Sequence, residues 1–149
     1  MKSRSHLVAQ AAYNRVEARQ ALSQKTKKAY GALAHKFPIL ILQNGLAQAT
    51  GFLLAKGKEE HPKEKEAHPK EKKEHLALLE DIAQVLRETG EDACRDATAL
   101  HRAVIEADMA TTMHLTRRAL EASSWIKRYV QGVLEIDATG AGREEKETT

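Results

Sequence analysis

The 149-residue chain has little of what staples or equips many small proteins. Its single cysteine, Cys94, excludes an intramolecular disulfide, and the start MKSRSHLVAQ has no uninterrupted apolar stretch for a signal peptide, so a reducing cytoplasm is the expected compartment. Phe, Tyr and Trp together make up 4% of the residues, which disfavours a β-sandwich and leaves little material for a base-stacking surface. Acidic residues are nearly missing from residues 1–36, where Glu17 stands alone against eight Lys/Arg, a balance of +7. Residues 76–110 reverse this, with eight Asp/Glu against three Arg, a balance of −5. The basic portion fits a polyanion partner, and the acidic one a basic protein neighbour or an intramolecular mate; a solvated Lys-rich face is the plainer alternative.

A long hydrophobic run is lacking too. The most apolar stretch, FPILILQNGLAQATGFLLA at 37–55, would carry Gln43, Asn44, Gln48 and Thr50 into the bilayer within about 19 residues, so no membrane partner is expected. Its Asn44-Gly45 pair is a hairpin signal, but the arm after it shows no clean alternation of polar and apolar residues. Ile39, Leu42, Leu46, Ala49 and Leu53 instead step by three and four, which predicts a helix with Pro38 in its first turn and Asn44-Gly45 in its interior. In that position Gly45 would admit another helix closely and a buried Asn44 would bond across the contact, so Pro38, Asn44, Gly45 and Trp125 are expected to be structural.

What the chain does have is alanine and leucine at helical spacing. Helices are expected over 4–23 (Ala9, Ala12, Tyr13, Val16), 24–36, 37–55, 69–89 with Gly90 as its stop, 92–108, and 110–136 with the heptad Leu115, Ala119, Ala122, Ile126, Tyr129, Val133, Ile136. Gly31 makes the 24–36 helix uncertain as a continuous element. The fold class is all-α: a single-domain bundle of five to six helices over residues 1–137. Residues 56–75 contain HPKEK twice and no large apolar side chain before the next helix, and are expected to be an exposed charged linker. Residues 138–149 are expected to be a disordered polar tail.

Catalytic chemistry finds no foothold. The residues three before His6, His35, His61, His68, His75, His101 and His114 are Ser3, Ala32, Lys58, Lys65, Lys72, Thr98 and Thr111, none of them acidic, so the Glu-x-x-His pattern of metal-binding bundles is missing. Neither a nucleophile elbow nor a phosphate-binding glycine loop occurs, and Cys94 between Asp92 and Asp96 is badly placed for a thiolate. No catalytic residue, metal or cofactor is expected, although a helical enzyme or metal-storage bundle stays open as a competing class. Cations remain: Arg15 and Arg19 one turn apart, Lys25, Lys27 and Lys28 beyond them, and Arg117 aligned with Arg128 eleven residues later, flanked by Arg118 and Lys127. Spaced cations of this kind suit a nucleic-acid backbone and bind it without reading sequence.

Tyr30, Pro38, Asn44-Gly45-Leu46 and Trp125-Ile126-Lys127-Arg128, in this order and separation, resemble the small all-helical subunit of the type III-B CRISPR (Cmr) effector complex, over residues 1–56 and 111–137. The resemblance implies a non-catalytic, cytoplasmic RNA-binding subunit. Copies of it would stack head to tail in a short filament with other subunits of the complex and help to hold guide RNA and target RNA in antiviral defence, cleavage belonging to other subunits. It implies backbone contacts from Arg15, Arg19, Lys25, Lys27, Lys28, Lys127 and Arg128. Two features depart from the pattern: Arg118 stands where an acidic residue is expected before Ala119-Leu120, and the HPKEK linker has no counterpart. The alternative is a protein-interaction module that stacks on itself through its opposed charges without touching RNA.

Overall fold

The computed structural model describes residues 1–58 and 73–142. Among these residues the architecture is all-α, with six α-helices and no strand beyond an isolated antiparallel bridge between Ile136 and Gly142. The elements are α1 (Arg4–Ala18), a 3₁₀ turn (Arg19–Ala21), α2 (Gln24–Asn44), α3 (Leu46–Lys58), α4 (Glu74–Glu88), α5 (Ala97–Glu106) and α6 (Met109–Gly132). Hydroxyl and carboxylate caps set four of the starts: Ser3, Ser23, Asp96 and Asp108 each accept a hydrogen bond from the backbone N–H three residues on. Both N–H and hydroxyl of Thr111 bond Asp108, the backbone bond mattering most, and hold its carboxyl below the usual range.

Helix α4 is the centre of the bundle and packs against all five other helices. Eight of its fifteen residues are buried, which requires apolar side chains around more than one face and explains Ala77, Leu78, Leu79, Ile82, Ala83, Val85 and Leu86. The ring of helices around it contributes Val8, Ala12 and Val16 from α1, Tyr30, Phe37 and Ile41 from α2, Leu53 from α3, Leu100 from α5, and Ala119, Ala122 and Ile126 from α6. No helix among the described residues is long and apolar enough to cross a membrane.

The stretch 37–55 departs from the expected single helix. Helix α2 runs unbroken through Gly31 and Pro38, so Pro38 sits in a helix interior and not in a first turn. Its missing N–H and its ring cost roughly 3 kcal/mol there, which burial of Tyr30, Leu33, Phe37 and Ile41 on one face offsets. The break falls at Gly45, with φ +84° and ψ 159°, a conformation open essentially to glycine alone. The Gly45 N–H donates to Ile41 O at 2.9 Å and its carbonyl accepts from Ala49 N–H at 3.1 Å, so one residue ends α2 and starts α3. Asn44 is exposed, and a Cβ on Gly45 would meet nothing within 4 Å. The idea of a close helix approach there, with Asn44 bonding across it, is therefore overturned. The local preference for a left-handed glycine cap was stronger than the apolar periodicity that ran through it.

Gly31 and Gly57 are the positions where another part of the chain does come close, a side chain at Gly31 and the backbone of Leu76 at Gly57. A Cβ on Gly31 would lie 2.6 Å from Ile136 Cγ2, and one on Gly57 would lie 2.8 Å from Leu76 Cβ. Ile136 reaches Gly31 because α6 ends at Gly132, short of the expected 136, and Glu135 turns the chain at φ 56°. The Ile136 carbonyl then accepts from buried His35 Nε2 at 3.0 Å. Residues 138–142, expected in the polar tail, close a turn over Asp137, whose Oδ1 accepts from Thr139 N–H and Ala141 N–H, and Gly140 packs on Ala32. The helix expected from residue 92 begins at Ala97, since Asp96 supplies the cap and Cys94 is folded into the core before it. The HPKEK repeats and residues 143–149 lie outside the described residues.

Candidate nucleic-acid interface

The cations expected to contact RNA fall into three sets. Arg15 and Arg19, from α1 and the 3₁₀ turn, converge on the carboxylate of Asp81, which is fully buried on α4. Arg15 Nε donates to Oδ1 at 2.8 Å, Arg19 Nε to Oδ2 at 2.9 Å, and Arg19 Nη2 to Oδ1 at 2.7 Å. Tyr30 OH completes the shell, donating to Oδ2 at 2.6 Å. Burial pushes the Tyr30 phenol well above its ordinary pKa, and the negative charge of Asp81 adds to this. For Arg19, burial works to lower the pKa, but the hydrogen bond and charge of Asp81 prevail and the guanidinium is held more firmly protonated than usual. Two guanidiniums on one carboxylate leave this cluster with a net charge near +1. Arg15, whose side chain is 33% exposed, carries the part that reaches solvent.

Lys25, Lys27 and Lys28 form the second set, at the start of α2, whose first turn has no acidic residue. Lys25 is exposed and the other two are half-buried. Cations at a helix start add to the positive end of the helix dipole, which is unfavourable for the helix and raises the local attraction for an anion. On α6 lies the third set: Arg117 and Arg128 are exposed, Lys127 is half-buried, and the Arg128 guanidinium sits 5.4 Å from the centre of the Trp125 ring.

Arg118 serves a different purpose. It is buried, with Nη2 donating to Thr89 O at 3.0 Å and to Thr89 Oγ1 at 2.5 Å, while Nε faces Glu91 at 3.4 Å. Glu91 also accepts from His114 Nε2 at 2.6 Å and pairs with Arg4 at 4.0 Å. Asp81 and Glu91 thus engage arginines of residues 1–36, which realises the intramolecular mate among the alternatives for the acidic portion. Sequence reasoning missed Asp81 as a hub. The signal was there: Leu78, Asp81 and Val85 step by three and four, so the acid lies in an apolar stripe.

Among the described residues no group of three His, Cys, Asp or Glu could hold a metal ion. Burial, with the charge of Glu91 second and Arg118 opposing, pushes the Cys94 thiol up to about 11.

Among the described residues, a bundle of six helices with no strand, arginines paired inside it and basic sets on α2 and α6 defines a small all-α protein. Residues 4–133 match the family model described as CRISPR-associated protein (Cas_Cmr5), and the chain belongs to that family. It is 36% identical over 135 residues to the CRISPR system Cmr subunit Cmr5 of Thermus thermophilus, covering 91% of this chain and 99% of that relative. It also resembles the crystal structure of a CRISPR-associated Cmr5 family protein from Thermus thermophilus, with a TM-score of 0.70, 34% identity, and coverage of 90% of this chain and 99% of the other.

Proposed function

We propose that this chain is a non-catalytic small subunit of a cytoplasmic type III-B (Cmr) ribonucleoprotein effector complex, binding the backbone of guide and target RNA through basic side chains. The match along nearly the whole length of a relative named as a Cmr subunit carries the reading. Lys25, Lys27 and Lys28 with Arg117, Lys127 and Arg128 are the principal contacts, and Arg15 and Arg19 contribute through what charge Asp81 leaves them. The test is titration of labelled single-stranded and duplex RNA with the full chain, alone and with its partner subunits. Binding should weaken steeply with salt, and Lys27→Glu with Lys28→Glu should weaken all sequences alike. Absence of binding at low salt, with partners present, overturns it.

The second reading, a module that stacks head to tail without direct RNA contact, is favoured by one observation. Ile105, Met109 and Met113 are 59%, 78% and 54% exposed around the α5–α6 junction. Sedimentation at rising concentration tests the stacking, which can coexist with RNA contact: a monomer at all concentrations and with partners counts against it.

A further inference from the structure

Six aromatic residues are few for 149, and three of them gather at one place on the surface. Tyr13 of α1 meets Tyr129 of α6 edge-on, with ring centres 5.4 Å apart at 83°. Tyr129 stacks on Trp125 at 5.7 Å and 24°, and Arg128 completes the group over the indole. These rings are not core residues in the sense of Tyr30 and Phe37, which are 0% and 1% exposed; Tyr13 is 40% exposed, and Trp125 and Tyr129 are half-buried with their inner edges on the core.

Partly exposed rings beside a guanidinium are the chemical groups on which a nucleobase stacks. The charge around them fits a strand that carries phosphates. Glu121 is the only acidic residue of α6, against Arg117, Lys127 and Arg128 at or near the surface and Arg118 turned inward. Arg117 and Arg128 lie about 16 Å apart along the helix, on either side of Trp125. Glu17, one turn beyond Tyr13, is the one acidic residue of α1.

We propose that Trp125, Tyr129 and Tyr13, with Arg128, form a stacking platform for an unpaired base of single-stranded RNA. The proposal rests on the RNA-binding reading and changes its content: part of the affinity comes from bases, which backbone contacts alone would not supply.

Trp125 is the only tryptophan, so its fluorescence reports this place and no other. The experiment titrates the full chain with an oligouridine of about ten nucleotides and with an abasic ribose-phosphate strand of equal length, reading Trp125 emission and the anisotropy of an end label together. The base-bearing strand should quench Trp125 and bind about tenfold tighter than the abasic one, and Trp125→Ala should bring the two affinities together. Equal affinities with unchanged emission overturn the platform while leaving backbone binding intact. No binding of either strand, with partner subunits present, overturns both readings. Emission that shifts with a partner protein and never with RNA assigns the patch to a protein contact and overturns the platform. If Trp125→Ala does not fold, the abasic comparison on the unaltered chain decides.

Discussion

The Tyr30 hydroxyl donates to Asp81 Oδ2 at 2.6 Å, across 51 residues of sequence and inside the core. This bond joins α2 to the central helix at the point where Arg15 reaches in from α1 and Arg19 from the 3₁₀ turn. Asp81→Ala leaves two guanidiniums and a hydroxyl without their acceptor and should cost about 3–5 kcal/mol, whereas Tyr30→Phe removes one charge-assisted bond and should cost about 1.5–3. Urea denaturation of both variants checks the order.

The same bond gives an alkaline limit. The folded pKa of Tyr30 lies above its unfolded value, so the protonated phenol contributes stability that is fully present below about pH 10 and lost as pH rises beyond it. Thermal unfolding from pH 8 to 11.5 should show a fall in Tm above pH 10 that is shallower in Tyr30→Phe.

The basic residues divide by what they hold. Arg19→Ala breaks a buried pair and should destabilise by several kcal/mol, while Lys25→Ala, on an exposed position, should stay within about 0.5 kcal/mol and act only on RNA affinity. Chemical unfolding beside RNA titration separates the two. Charge balance along the chain announced a basic portion, but it could not tell a lysine facing water from an arginine facing Asp81, since that depends on which helix α1 lies against.

At the α2–α3 junction, Asn44→Leu should change stability by no more than about 0.5 kcal/mol, and Gly45→Ala should cost about 1–3 because φ +84° is closed to a side chain. Gly31→Ala should also destabilise, by about 1–3 kcal/mol, for the opposite reason: the conformation is helical but Ile136 fills the space. Adding Ile136→Ala to Gly31→Ala should recover part of that cost in a double-mutant cycle, which Gly45→Ala with Ile136→Ala should not.

Cys94 is 1% exposed, with its thiol raised to about 11. In the native protein at pH 8 it should resist iodoacetamide and react at the rate of global unfolding; mass spectrometry over urea concentration follows this.

The sequence by itself determined the all-α class, the approximate helices and the family, because the periodicity of apolar side chains and a few motif residues are local properties of the chain. It also contained Gly45 as a stop and Asp81 within an apolar stripe, though periodicity through 37–55 outweighed the first and charge counting absorbed the second. Only the tertiary structure decided which cations are paired. It also set Ile136 against Gly31 and brought Tyr13 onto Tyr129. Those relations span 62, 105 and more than 110 residues, and contacts at such separations arise from how helices pack around α4, which no local spacing encodes.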